Sequence, residues 1–260
     1  MAFKIALSAG HGKNTPGKRC LKSLDSKETR EWVLNSRIAD KVEELLKSYS
    51  GYQLLRLDDR TGVTDVTLYN RTKSANNFKA DFYLSIHHNA GVNGGKGGGI
   101  MAFVYTSASA ESLDWQKSLY QALIKNTGLK GNRSAPLTKA NLHECRESNM
   151  PAVLLELGFM DSSTDVPVIL TEQFADQCAK AIVDVVVRKG KLANKVISNL
   201  SYKVRVVADA LNIRSGPGTQ YKINGCITDK GVYTIVSEED GFLKLKSGAG
   251  WISANYVKKL

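Results

Sequence analysis

The stretch PAVLLELGF, residues 151–159, is a nearly continuous apolar run broken by one charged residue, Glu156. A run of that length and texture fits a strand buried on both faces, the environment found in parallel sheets covered by helices. The rest of the first two thirds of the chain supplies the alternation such a sheet needs. FKIALS (3–8), YQLLRL (52–57), DFYLSIH (81–87) and GGIMAFVY (98–105) read as strands. Between them, residues 30–49 carry Leu34, Ile38, Val42 and Leu45 at helical spacing, and 67–80 reads as a second helix. Residues 108–128 form a third, closing on Gly128, and 171–187 a last one. Strands alternating with helices predict an α/β domain with a twisted, mostly parallel sheet flanked by helices.

From about residue 189 the texture changes. RKGKLANKVISNLS (188–201) is polar and basic, and the residues after it show no helical stripe. They form short alternating segments cut by Gly-Pro-Gly, Asp-Gly and Gly-Ala-Gly turns, which is the pattern of a small all-β barrel. The expected organisation is a domain over 1–189, a linker over 190–200 and a second domain over 201–260.

The net charge of +11 belongs to both parts, since residues 200–260 hold nine Lys and Arg against five Asp and Glu. A basic chain favours polyanionic partners: nucleic acid, an anionic membrane or an acidic cell wall. No dense Lys/Arg stripe or aromatic-basic motif supports nucleic acid, and no apolar stretch approaches the ~18 residues of a membrane span, so neither nucleic acid binding nor membrane insertion is expected. The N-terminal apolar run is too short for a secretory signal, which predicts synthesis in the cytoplasm. Cys20, Cys145, Cys178 and Cys226 are scattered without a CxxC pair, so neither a disulfide framework nor a cysteine metal site is expected.

In an open α/β sheet the site lies beyond the carboxyl ends of the strands. His11, in LSAGHGKN, follows the first strand, His87, in LSIHHNA, ends the third, and Glu156 interrupts the central one. A carboxylate amid Leu154, Leu155 and Leu157 is costly unless paired, coordinated or catalytic. Glu28 and Glu31 stand three apart and are placed to share one helix face. Two imidazoles and a carboxylate with an open fourth position make a hydrolytic Zn2+ site, with Glu156 as a base beside it. The ligands are discontinuous, so spacing alone leaves open the alternative of satisfied histidines at sheet edges and a capped glutamate.

These segments resemble a known family. SAGHG, ETREWVLNSRIADKVEELL, LYNRTKSANNFKADFYLSIHHNA and MPAVLLELGFMDSSTD are similar to successive motifs of the zinc-dependent N-acetylmuramoyl-L-alanine amidases of the type-3 class, over about residues 3–187. The resemblance implies His11, Glu31 and His87 as zinc ligands and Glu156 as the catalytic residue. Glu31 stands four before Asn35, the family interval, and Glu28 is the alternative ligand. One departure is visible: the family reads Asp-Pro-Gly-His-Gly, whereas Ser8 and Ala9 precede Gly10 here. The supporting carboxylate is therefore absent from position 8, and orientation of His11 must come from elsewhere.

His88 should point to the opposite face of the strand from His87 and is expected not to be a ligand. His143 is a candidate for substrate contact or oxyanion stabilisation, with a loop or capping role as the alternative. Asn89 is a second candidate for substrate contact, although it and Arg71 also read as a turn residue and a helix-face charge. GVNGGKGGG (91–99) reads as a flexible rim or a plain connecting loop.

ALNIRSGPGTQYKINGCITDKG (210–231) and GAGWISANYV (248–257) resemble bacterial SH3 (SH3b) modules that bind cell-wall peptides. Trp251 and Tyr256 are candidate core residues there, and the binding face is left open. An amidase joined to such a module is similar to phage endolysins of Gram-positive hosts, which implies peptidoglycan as partner and a holin for release. A zinc endopeptidase, a bacterial autolysin and a non-catalytic wall-binding protein are the alternatives.

Overall fold

The computed structural model describes residues 2–195 and 201–260. The chain divides into two compact units, Met1–Asn194 and Lys195–Leu260.

In the first unit the elements follow one another as β1 (Phe3–Ala9), α1 (Glu31–Leu46), β2 (Tyr49–Ser50), β3 (Tyr52–Arg56), α2 (Leu68–Phe78), β4 (Phe82–Asn89), β5 (Ile100–Val104), α3 (Ala110–Thr127), β6 (Leu137–Lys139), α4 (His143–Arg146), β7 (Ala152–Phe159), α5 (Val166–Ile169), α6 (Glu172–Gly190) and β8 (Ala193–Asn194). Six strands form one sheet in the order β3-β1-β4-β7-β5-β6. All neighbours are parallel except β5, which runs antiparallel to β7. The expected α/β fold with a mostly parallel sheet is thus present.

Strand alternation divides the sheet's two faces. Ile5, Leu7 and Ala9, Phe82, Leu84 and Ile86, and Val153, Leu155 and Leu157 bury into one core with α1, α3 and α6. Their strand neighbours face the other way, where α2 and α4 cover a thinner layer containing Ala6, Tyr83 and Ala152. That second face carries Ser8, Ser85, His87 and Glu156. Three caps mark helix starts: Thr67, Ser109 and Thr171 each accept a backbone N–H from the first turn.

Several local expectations change. The apolar stripe of α1 ends on Leu46, fully buried, whereas Leu45 is 40% exposed. A spacing of four drifts by about 40° per step, so the buried stripe moves round to Leu46 and leaves Leu45 at its trailing edge. The helix also stops at Leu46, because Tyr49–Ser50 pair with Ala193–Asn194 as a two-stranded ribbon. Residues 190–194 of the expected linker therefore belong to the first unit. Its residues 196–200 lie outside the described residues. Neither β6 nor α4 was expected, both being too short to show a period.

The second unit contains β9 (Tyr202–Val206), β10 (Leu211–Arg214), β11 (Ile223–Ile227), β12 (Val232–Glu239), β13 (Phe242–Leu245), β14 (Trp251–Ser253) and β15 (Val257–Lys259). They form an antiparallel sheet in the order β11-β10-β14-β13-β12-β9-β15 around Val204, Val206, Leu211, Ile227, Ile235, Leu243, Leu245 and Ile252. Trp251 and Tyr256 are not in that core: Tyr256 is 52% exposed and Trp251 is partly exposed under the Lys244 ammonium. The neighbours Ile252 and Val257 point inward in their place, as alternation along a short strand allows.

All four cysteines are free, three of them buried. Among the described residues no helix is long and apolar enough to cross a membrane.

Candidate metal centre

Strands β1, β4 and β7 end along one edge of the sheet, with Ser8 beside Ser85 and His87 beside Glu156. Beyond β1 the chain turns sharply through Gly10, His11 and Gly12, and His11 adopts a left-handed conformation (φ 65°). Such a backbone is uncommon for a residue with a side chain and needs external support. Arg71 of α2 provides it. Its guanidinium donates to the carbonyls of Ala9 (2.6 Å) and His11 (3.1 Å), to Ser8 Oγ (2.6 Å) and to the carbonyl of Val66 (2.8 Å). Arg71 is 1% exposed, so the expected helix-face charge is instead a buried clamp on the turn. Periodicity places a residue on a helix face but does not say that the face is covered.

Glu31 opens α1, where a carboxylate also meets the favourable end of the helix dipole. It is fully buried, and Asn35, one turn later, donates to its Oε1 (3.4 Å) and to the Gly10 carbonyl (3.1 Å). Asn35 also receives the His88 ring at 2.8 Å, on the helix side of β4. His88 therefore points away from His87, as strand alternation predicts. Glu28 lies before the helix begins and pairs with Arg19 at 3.1 Å, so Glu28 and Glu31 do not share a helix face.

His11, Glu31 and His87 come together. His11 Nε2 lies 3.4 Å from Glu31 Oε2, His87 Nδ1 lies 3.1 Å from Glu31 Oε1, and the two rings meet edge-to-face at 5.0 Å. One donor atom from each residue falls within 4.8 Å of the others. The buried atoms His11 Nε2, Glu31 Oε2 and Glu156 Oε2 have no hydrogen-bond partner among the described residues. Two imidazole nitrogens and a carboxylate oxygen, mutually close and under-satisfied, fit a borderline-soft divalent ion such as zinc. Beside them opens a cleft of about 330 Å3, whose lining includes His11, Asp65, Thr67, Arg71, His87 and Glu144.

The electrostatics separate the four groups. Burial lowers the His11 pKa to about 4 against the pull of Glu31, which favours the neutral ring a metal needs. Glu31 is held down to about 2: burial opposes its charge, but His87, His11 and Lys18 outweigh burial. His87 is raised, because Glu144 and Glu31 more than offset its burial. Glu156 moves the other way, up to about 7, chiefly through burial, with His87 opposing and Glu31 adding to the rise.

The two expected substrate-contact residues are not among those lining this cleft. His143, the first residue of α4, sits with its Nε2 3.4 Å from Thr72 Oγ1 in a neighbouring depression that includes Tyr69, Lys73 and Asn76. Asn89 ends β4, where its side-chain oxygen accepts its neighbour's N–H (2.8 Å) and its carbonyl accepts from Met160 (2.7 Å). The glycine-rich segment 91–99 is pinned rather than free: Asp161 accepts from the N–H groups of Gly91, Val92 and Asn93, and Asp165 from that of Gly99.

Sequence reasoning missed Glu144, the second residue of α4. It is 3% exposed and lies against Ser8, Tyr83, Ser85 and His87. A carboxylate thus stands against the Ser8 hydroxyl and the His87 ring, whereas the backbone of the His11 turn is held by Arg71. The available signal was the row Tyr83, Ser85, His87, three polar groups on one face of a strand otherwise expected to be apolar.

The family model described as N-acetylmuramoyl-L-alanine amidase matches residues 5–188. The chain belongs to the N-acetylmuramoyl-L-alanine amidase family. A sporulation-specific N-acetylmuramoyl-L-alanine amidase of Bacillus subtilis (strain 168) is 31% identical over 80% of this chain and 78% of its own length. An endolysin of Bacillus phage SPP1 is 29% identical over 99% of this chain and 85% of its own. Among solved structures, the N-acetylmuramoyl-L-alanine amidase from Clostridium difficile 630 aligns with a TM-score of 0.64 and 29% identity, covering 72% of this chain and 96% of that one. The catalytic domain of CwlV from Bacillus (Paenibacillus) polymyxa var. colistinus aligns at 0.63 with 27% identity, covering 73% and 98%. A model described as bacterial SH3 domain matches residues 209–258, within the second unit of the amidase.

Proposed function

We propose that this amidase is a zinc-dependent endolysin that cleaves the bond between N-acetylmuramic acid and L-alanine in the wall of a Gram-positive host. His11, Glu31 and His87 hold the metal, and Glu156 is the general base. The carrying observation is the convergence of these residues from three strand ends and one helix start, with Glu156 raised to about 7 beside them. When bound there, zinc supplies Lewis acidity to a carbonyl and brings the pKa of an attacking water towards ~7.

The chain's own groups do the rest. Glu31, kept ionised, neutralises positive charge in the site, and Arg71 keeps the His11 turn in place. Glu156, near neutrality in its pKa, takes a proton from water at Oε2 and returns it to the departing alanine nitrogen. The second unit holds the enzyme on the wall, so that effective concentration rather than new chemistry improves the rate. The basic charge favours approach to anionic wall polymers and weakens in salt.

The endolysin reading is supported by the phage relative, whose likeness spans both units. The sporulation amidase favours a bacterial autolysin as the second reading. Mass spectrometry of digested walls tests the bond: new amino groups on L-alanine with intact stem peptides support it, and cleavage inside the stem overturns it. Expression in a Gram-positive host tests the setting. Lysis only when a holin is co-expressed supports an endolysin, whereas lysis without one removes the holin-dependent step.

A further inference from the structure

Glu144 is a buried carboxylate to which the proposed reaction assigns no part. Taking such a group out of water costs several kcal/mol unless donors replace its hydration. Three hydroxyls do so here. Tyr83 donates to Oε1 at 2.6 Å, Ser85 Oγ lies 3.1 Å from both oxygens, and Ser8 donates to Oε1 at 3.3 Å. Arg71 stands one step behind, donating to Ser8 Oγ at 2.6 Å. The carboxylate plane is therefore fixed from three sides.

Its remaining neighbour is His87. Glu144 Oε2 lies 3.6 Å from His87 Nε2, and that nitrogen is buried without a hydrogen-bond partner among the described residues. The opposite ring nitrogen, Nδ1, faces Glu31 at 3.1 Å. Tyr83, Ser85 and His87 alternate along β4 on one face, so a single strand aligns two donors and the ring with the same carboxylate. An imidazole that binds a metal through one nitrogen carries its hydrogen on the other, and an acceptor placed there fixes the ring's tautomer and direction.

We propose that Glu144 is a positioning residue for His87, holding the ring hydrogen at Nε2 and turning the Nδ1 lone pair towards Glu31 and His11. The inference rests on the metal-centre reading above and assigns Glu144 a role outside the set of ligands. It also explains why a row of hydroxyls lies in this face of the sheet: they orient the group that orients the ligand.

The test uses the full chain, zinc and two conservative variants. Glu144→Gln keeps the shape and removes the charge, and Glu144→Asp keeps the charge on a shorter stem. Zinc affinity, read by competition with a chromophoric chelator, should fall 10- to 100-fold in Glu144→Gln and recover in part in Glu144→Asp. In 15N spectra of the zinc-loaded wild-type protein, His87 should carry its hydrogen on Nε2 with the metal at Nδ1. Metal at Nε2, or wild-type affinity in a folded Glu144→Gln, would overturn the proposal. If Glu144→Gln does not fold, the wild-type spectrum decides alone. His11→Ala and His87→Ala separate the two levels: if both retain zinc, the metal centre itself fails, whereas zinc loss in these alone removes only the role of Glu144.

Discussion

A methyl group added to Gly10 would stand 2.1 Å from Cε1 of the His87 ring, far inside contact distance. The glycine of the turn and the histidine of the next strand are thus one fitted pair. Backbone of β1 must pass against the ring for His11 to reach the same site, and the Gly10 N–H is tied to the Ile86 carbonyl at 2.9 Å. Gly10→Ala should displace His87, lower zinc affinity at least tenfold and cost about 1–3 kcal/mol of stability by overpacking. Chelator competition and urea unfolding measure the two effects. An unchanged affinity would mean that the ring has room to move.

Glu156→Gln should retain zinc and reduce wall hydrolysis about 10²- to 10⁴-fold, the range for loss of a general base. Metal content by atomic absorption and a turbidity-drop assay check the two halves. Residual activity near wild type would place the base elsewhere.

The same residue predicts a pH effect on the metal-free protein. Its carboxyl is raised from 4.5 to about 7 in the folded state, mainly by burial, so the folded chain holds the proton more tightly than the unfolded one. Stability contributed by this group is fully present below about 4.5 and falls as pH rises to about 7. Between pH 5 and 8, wild type should lose on the order of 2 kcal/mol relative to Glu156→Gln, at 1.36 kcal/mol per pH unit and less because the residue is only partly buried. Urea unfolding of both proteins in EDTA provides the comparison. Parallel pH curves would show that the carboxyl is not raised.

Arg71→Ala should destabilise the amidase unit by about 3–5 kcal/mol, because it strips donors from the Ala9, His11 and Val66 carbonyls in a buried setting. Arg71→Lys should recover only part of this, since an ammonium cannot reproduce the fork. Chemical denaturation monitored by tryptophan fluorescence tests both variants.

Arg71 also marks the limit of what the chain's pattern reveals. Strands β1, β4 and β7 were legible from their apolar runs, and His11, His87 and Glu156 from lying at strand ends in a parallel sheet. Glu31 was set apart from Glu28 only by the family resemblance and its interval to Asn35, and the structure gives that interval a cause: Asn35 touches both Glu31 and the Gly10 carbonyl. Arg71 and Glu144 were not legible. Whether a helix face is covered depends on what packs over it, and a four-residue helix carries no period to read. Their roles come from contacts between residues 63 and 136 positions apart, which no local window contains.

The second unit yields the last prediction. It has its own core of eight buried apolar residues, so the first unit should not depend on it for packing. Truncation after Asn194 should leave cleavage of soluble muropeptides within about twofold of the full chain. Sedimentation with purified walls should fall sharply, because the tether and five of the eleven net positive charges are removed together. Salt separates the two contributions. Binding by the full chain that survives ~0.5 M NaCl comes from specific contacts of the second unit, since exposed charges are screened beyond ~3–5 Å there. Binding that vanishes in salt, or equal sedimentation of the truncated and full chains, would leave the second unit without a wall-binding role.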